Sequence, residues 1–178
     1  MNHGGLDKAA CAYPEDHREF WEMELGFPMP HGAFGENFTT RGAIETGVCV
    51  GDIYRCGTAV LQVSQPRQPC WKLARRWRVK DLAARVERTG QTGWYFRVLI
   101  EGVVKAPADM ALLERPHPEW TIAAANEVMH HRRADWEAAR ALGSCPSLSR
   151  SWQMSLSNRA AAQVAASTAP RLLGHEAA

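Results

Sequence analysis

The sequence predicts an α+β fold that is mainly β: closely spaced antiparallel strands in a barrel or sandwich, peripheral helices, and a small helical unit at the C-terminal end. Three observations predict it. From Ile44 to Leu61, short apolar runs are broken by turn signals at Thr46-Gly47, Gly51-Asp52 and Cys56-Gly57, the spacing of short strands. Leu73 and Trp77, then Leu82 and Val86, recur at helical rather than strand period. After Arg115-Pro116-His117-Pro118, which reads as a linker, strand signals stop and capped helices begin. The expected units are residues 1–116, 117–169 and a frayed tail, 170–178.

The elements follow in order. His3 to Lys8 opens with a Gly-Gly turn and leads into Ala9 to Tyr13. Pro14-Glu15-Asp16 starts a helix, Pro14 or Asp16 suiting its first turn. Phe20, Trp21 and Leu25 form its apolar side, and Gly26 ends it. His17 stands one turn before Trp21, either as a core-edge histidine or on a functional face. Phe27 to Gly35 is loop. Gly35 to Gly42 is polar, with Asn37, Thr39 and Thr40 able to bond a phosphate or a heterocycle edge, or simply to turn the chain; it lacks the GK[ST] ending of a P-loop. Thr58 to Gln65 reads as a half-buried strand, Leu61 and Val63 on one face, Gln62 and Ser64 on the other, stopping at Pro66. Cys49 and Cys56 are expected inside strands, packing. A helix from about Lys80 to Thr89 stops at Gly90. Trp94 to Ile100 is a strand, turned by Glu101-Gly102, returning at Val103-Val104, with a last strand at Met110 to Leu113. Thr121 caps a helix carrying Ile122, Ala125, Val128 and Met129; Asp135 to Leu142 is a second, ended by Gly143; Ser149 or Ser151 starts a third, with Trp152 and Leu156. Three such helices bury little alone and read as an appendage, with His130-His131 at a frayed helix end.

The chain has 178 residues, enough for one domain with a sizeable core or one domain plus an appendage. Its hydrophobic fraction of 46% and charged fraction of 22% are those of a soluble globular protein, and a formal net charge of +2 predicts neither nucleic-acid nor membrane binding. Arg75, Arg76 and Arg78 read as a solvated helix face before an anion site. No run approaches the roughly 20 apolar residues of a membrane span, and the N-terminal residues lack a signal-peptide core. The cysteines are Cys11, Cys49, Cys56, Cys70 and Cys145, an odd number with no CxxC pair, and no histidines stand at HxxxH or HExxH spacing, so a structural zinc site is unsupported. Thiols of this kind point to a reducing compartment, the cytoplasm.

One stretch carries chemistry. Pro66 and Pro69 stiffen a loop that ends at Cys70, with Arg67 and Lys72 close in sequence. Cations beside a thiol favour thiolate, the form that ligates soft metals or attacks electrophiles. The competing reading is a small buried hydrophobe. A Cys/His hydrolase using Cys70 and His17 lacks an oxyanion-hole or orienting motif.

The strings HGGLDKA (3–9), YPEDH (13–17), GENFTTRG (35–42), VGD (50–52), LQVSQPRQPCWKL (61–73), TGW (92–94) and LLERP (112–116) resemble the MOSC-domain family, in its YiiM-like branch. The Q-P-R-x-P-C-x-K-L string is the specific one, and the last third is similar to the three-helix domain that follows the barrel in this branch. The resemblance implies a MOSC-type β-barrel, related to the C-terminal domain of molybdenum-cofactor sulfurases, and a bound molybdenum cofactor; the family also carries an association with pyridoxal phosphate. In the related mitochondrial amidoxime-reducing component, a cysteine ligates molybdenum and N-hydroxylated substrates are reduced, and the YiiM-like branch is associated with reduction of N-hydroxylated bases. Cys70 holds the matching position and is the implied metal ligand. Arg67, Lys72 and Lys8 are implied to neutralise the pterin phosphate, with Asn37, Thr39, Thr40 and His3 in the cofactor-binding set and His17 as a proton donor. With no motif for a flavin or an iron–sulfur cluster, the electron donor is expected to be a separate flavin or iron–sulfur reductase. The alternatives are a sulfur carrier with a persulfide on Cys70, or an inactive relative. Family members carry N-terminal strands before the HGG motif, which here begins at His3; the expectation is a start further upstream or a barrel closed otherwise, for example in a homodimer.

Overall fold

The computed structural model describes residues 5–164 and 167–174; His3, the first part of the Gly-Gly turn and residues 175–178 of the expected tail lie outside them. Among the described residues, β1 (Ala10–Pro14), β2 (Phe38–Thr40), β3 (Ile53–Cys56), β4 (Ala59–Pro66), β5 (Trp94–Ile100) and β6 (Met110–Glu114) form one sheet in the order β2-β1-β5-β4-β3-β6. β1 and β2 run parallel; the other neighbours are antiparallel. The sheet curls into a half-barrel, with β2 and β6 at its edges.

Strand alternation divides the side chains between two clusters. Ala12, Leu61, Val63, Trp94 and Phe96 face one core, and Tyr13 turns to the other, with Trp21, Phe34, Leu73, Leu82 and Val86. The second core is built by α1 (Arg18–Leu25), α2 (Trp71–Trp77) and α3 (Leu82–Thr89). α1 stops where Gly26 takes φ 74°, and α3 where Gly90 takes φ 71°. The first core is completed by α4 (Ile122–Asn126), a π-helical turn (Glu127–His131), α5 (Trp136–Gly143) and α6 (Arg150–Ala162). Thr121, Asp135 and Ser149 cap these helices, accepting from the N–H of Ala124 (3.0 Å), Ala138 (2.9 Å) and Trp152 (3.3 Å). Ile122, Val128, Leu142, Trp152 and Leu156 lie in the same core as the sheet. No helix among the described residues is long and apolar enough to cross a membrane.

Several local expectations are corrected, each for a tertiary reason. Ile44 to Val50 is turn rather than strand, and Cys49 forms an isolated bridge with Thr121. The backbone of this segment pairs with the helical unit instead: Val50 N donates to Trp120 O and Ile122 N to Val48 O, both at 2.8 Å. Val103-Val104 is not a returning strand. Its bonds to Thr58 close a turn, and β6 returns beside β3. Pro66 ends β4 from within, at a last position that tolerates a missing N–H. Ser64, expected on a polar face, is fully buried, its hydroxyl satisfied by the carbonyls of Asp7 (2.5 Å) and Tyr95 (3.1 Å). His130 is buried rather than frayed, since Arg159 from α6 donates to the carbonyls of Met129 (3.0 Å) and Val128 (2.7 Å) and closes the π turn. Part of the tail is helical: α7 (Ala169–Leu173) docks on α2, Arg171 donating to Pro69 O and pairing with Glu87.

The VGD and LLERP strings meet in space. Arg115 binds the fully buried Asp52 with two bonds, Nε to Oδ1 at 2.9 Å and Nη2 to Oδ2 at 2.7 Å, and Cys49 N donates to the same carboxylate at 2.9 Å. The expected linker therefore begins on an arginine paired with a buried aspartate.

Candidate functional site

Cys70 lies where β4 hands over to α2. Its backbone is extended, at φ −137° and ψ 167°, and Leu73 N donates to its carbonyl at 3.1 Å, starting the helix. Buried Leu73 and the bond from Trp77 Nε1 to Ala33 O (2.9 Å) hold α2 against the second core. Cys70 is itself buried, and none of the five cysteines is in a disulfide. Burial pushes the thiols of Cys11, Cys49, Cys56 and Cys145 up, Cys11 to about 11.

Arg67 is buried beside this loop. Its N–H donates to Gly93 O at 3.0 Å and its Nη2 to Phe34 O at 2.7 Å, while buried Nη1 has no hydrogen-bond partner. Tyr95, which sits opposite Cys11 in register, lies near enough to Arg67 to feel its charge, and the Lys8 ammonium lies 5.9 Å from the Tyr95 ring centroid. Burial first, and then the Cys11 thiol, push the Tyr95 phenol up; Arg67 opposes them. Burial lowers Lys8, with Asp7 opposing. Lys8, Arg67 and Tyr95 thus form one cluster at the loop that leads to Cys70.

The remaining expected residues divide. Lys72 is exposed on α2. Asn37 Oδ1 accepts from Cys11 N at 2.8 Å, and Thr39 Oγ1 donates to Glu36 Oε1 at 3.2 Å, so these oxygens brace β1 and their own loop. Thr40 is buried with its Oγ1 unpartnered. The pocket beside Thr39, Tyr13 and Phe34 has a volume of about 20 Å³, room for one water and not for a pterin. His17 is held by Glu45, Nε2 to Oε2 at 2.6 Å, and the other Glu45 oxygen accepts from Gly93 N at 2.7 Å. Gly93 therefore joins the His17–Glu45 pair to the Arg67 backbone.

Sequence reasoning missed Tyr95, Glu36 and Glu45. Glu36 accepts from Gly32 N (2.7 Å) and Phe34 N (3.0 Å) and sets the loop whose Phe34 carbonyl holds Arg67. Glu36 lay inside a noted polar stretch; Tyr95 and Glu45 had no signal beyond neighbouring the TGW and turn strings.

Among the described residues no group of three His, Cys, Asp or Glu side chains stands ready to hold a metal ion. One thiol beside a cation with an open donor suits a metal that arrives with ligands and an anionic group of its own. Residues 1–110 match the family model for the MOSC domain, and residues 120–163 match the YiiM-like, 3-alpha helix domain. The chain belongs to the MOSC-domain family, in its YiiM-like branch. It is 46% identical to YflK of Bacillus subtilis over 155 residues, 87% of this chain and 70% of that one. The crystal structure of YiiM from Geobacillus stearothermophilus superposes with a TM-score of 0.86 at 47% identity, covering 88% of this chain and 80% of that chain. A protein named Reductase from Gibberella moniliformis is 40% identical over 135 residues, 73% of this chain but 24% of its own length. In this MOSC protein the residues that fit a molybdenum cofactor are Cys70, Arg67, Lys8, Tyr95 and Thr40; Asn37 and Thr39 fit less well, their oxygens being engaged.

Proposed function

We propose that this MOSC protein holds the molybdenum cofactor through Cys70 and reduces N-hydroxylated compounds. The observation that carries the reading is the buried Cys70 thiol beside Arg67, a buried guanidinium with an unpartnered Nη1. Arg67 and Lys8 would bind the anionic part of the cofactor, with the Phe34 carbonyl orienting Arg67. When bound, the cofactor supplies the two electrons of the reaction. Conversion of R–NH–OH to R–NH2 breaks the N–O bond, takes up two electrons and two protons, and releases water. His17, fixed by Glu45, holds a proton for the departing hydroxyl.

The electrons come from a separate flavin or iron–sulfur reductase. The proposed setting is the cytoplasm.

Elemental analysis tests the reading on protein from a host that makes the cofactor. Wild-type protein is expected to carry near-stoichiometric molybdenum, and Cys70→Ser to lose both metal and N-hydroxylamine reduction while keeping the fold by circular dichroism. Metal and activity unchanged in Cys70→Ser would remove Cys70 from the mechanism. Labile sulfane sulfur without metal would favour a persulfide carrier instead.

A further inference from the structure

Glu45 is 5% exposed, and both of its carboxylate oxygens are engaged: Oε1 accepts from Gly93 N at 2.7 Å, and Oε2 lies 2.6 Å from His17 Nε2. Its main chain is anchored as well, the carbonyl accepting from Ala123 N at 2.9 Å in α4. A carboxylate held at one oxygen and at its backbone cannot swing away from the ring. His17 is held from a second side. The Tyr13 ring stands edge-on to it, centroids 5.8 Å apart and planes at 72°. Tyr13 is itself locked, its hydroxyl accepting from Trp21 Nε1 at 2.7 Å and donating to Gln91 O at 3.0 Å. Burial first, and then the Glu45 charge, push the Tyr13 phenol well up, so it stays a donor and brings no second anion to the pair. Both neighbours of the imidazole lead to Arg67. Gly93 O accepts from Arg67 N at 3.0 Å, and Phe34, stacked on Tyr13 with centroids 4.0 Å apart, accepts from Arg67 Nη2 at 2.7 Å. Among the described residues, the bond to Glu45 is the one side-chain hydrogen bond that His17 makes, and it uses Nε2.

An ionised carboxylate offers only acceptors, so the nitrogen facing it carries the hydrogen. We propose that Glu45 is a positioning residue that fixes His17 as its Nε2–H tautomer, which makes Nδ1 the atom that delivers the proton to the departing hydroxyl. The inference rests on the proposed reduction of N-hydroxylated compounds and assigns its acid to one atom. Of the two protons consumed, this one joins the leaving oxygen, which departs as water; the other, from solvent, goes to the amine nitrogen. The two electrons come from the separate reductase by way of the cofactor. When Nδ1 has given up its proton, the bond from Nε2–H to Glu45 is still in place. The neutral ring is therefore left in the same tautomer and takes its next proton at the same nitrogen, without turning over.

Histidine nitrogen resonances read the tautomer directly. Long-range proton–nitrogen correlation spectra are recorded on the full chain as its Cys70→Ser variant, isotopically labelled in histidine, with His17→Gln identifying the signals. The reading then does not depend on molybdenum. The neutral ring is expected to carry its hydrogen on Nε2, with Nδ1 bare. Glu45→Gln keeps an oxygen for Gly93 N but turns an amide N–H toward the ring, and is expected to move the hydrogen to Nδ1. In cofactor-loaded protein Glu45→Gln is expected to lose roughly 10²-fold in kcat with KM little changed. A wild-type ring with its hydrogen on Nδ1, or divided between the two nitrogens, would overturn the assignment, as would Glu45→Gln with the wild-type tautomer and kcat. If Glu45→Gln lacks a native circular dichroism spectrum, the wild-type tautomer alone decides. Loaded wild-type protein that fails to reduce N-hydroxylated compounds would remove the reductase reading, while a tautomer inverted by Glu45→Gln would still establish Glu45 as the residue that positions His17.

Discussion

His130 is the side chain whose ionisation bears most directly on stability. Burial first, then the charges of Arg171, His131, Arg133 and Arg159, lower its imidazole from an ordinary 6.5 to about 3. The folded protein keeps the ring neutral where the unfolded chain takes up a proton. Its contribution is therefore full above pH 6.5 and is lost as pH falls toward 3. Urea midpoints measured from about pH 7 to about pH 5 should fall more steeply for the wild type than for His130→Phe, which keeps a ring against Trp152. Parallel slopes would show that His130 is protonated in the fold. Cys70 stood out as a candidate at this scale because two prolines and two cations lie near it in sequence. Arg67 and Lys72 looked alike there, yet Arg67 is buried and Lys72 exposed, a distinction made by the packing of Phe34 and Tyr95 around Arg67 alone.

Among the elements, β1 and the start of β5 approach closely at Gly93. Gly93 takes φ 68°, and a Cβ there would lie 2.2 Å from Ala12 O. Its N–H and carbonyl bind Glu45 and Arg67, so one glycine spaces two strands and ties together both halves of the site. Gly93→Ala should destabilise the protein by roughly 1–3 kcal/mol from the positive φ, with the clash in addition. Chemical denaturation checks this; a variant as stable as the wild type would contradict the close approach. The helices were legible at this scale from their caps and stops, Gly26, Gly90, Thr121, Asp135 and Ser149. The segment Ile44 to Val50 was not, because its hydrogen-bond partners, Trp120 and Ile122, lie some 70 residues downstream.

For the whole molecule, the deciding feature is a core that runs from the sheet into the C-terminal helices. Leu156, fully buried in α6, packs in the same cluster as Val63 and Trp94. Leu156→Ala should cost about 2–5 kcal/mol and lower the midpoint of one cooperative transition, with far-UV and near-UV circular dichroism coincident. A separate early transition in the helical signal would show that the helices fold on their own.

By itself the sequence determined the family, the α+β class and the order of nearly all the elements, and it singled out Cys70 as the candidate cysteine. These rest on local facts: apolar period, caps, glycine and proline positions, and one specific string around Cys70. The tertiary structure alone decided which cations are buried, that Tyr95 and Glu45 join the site, that Asp52 and Arg115 form one pair, and that α7 returns to the Cys70 loop. Those are contacts between residues far apart in the chain. Their geometry depends on how the half-barrel curls and what packs on each of its faces, and no local pattern carries it.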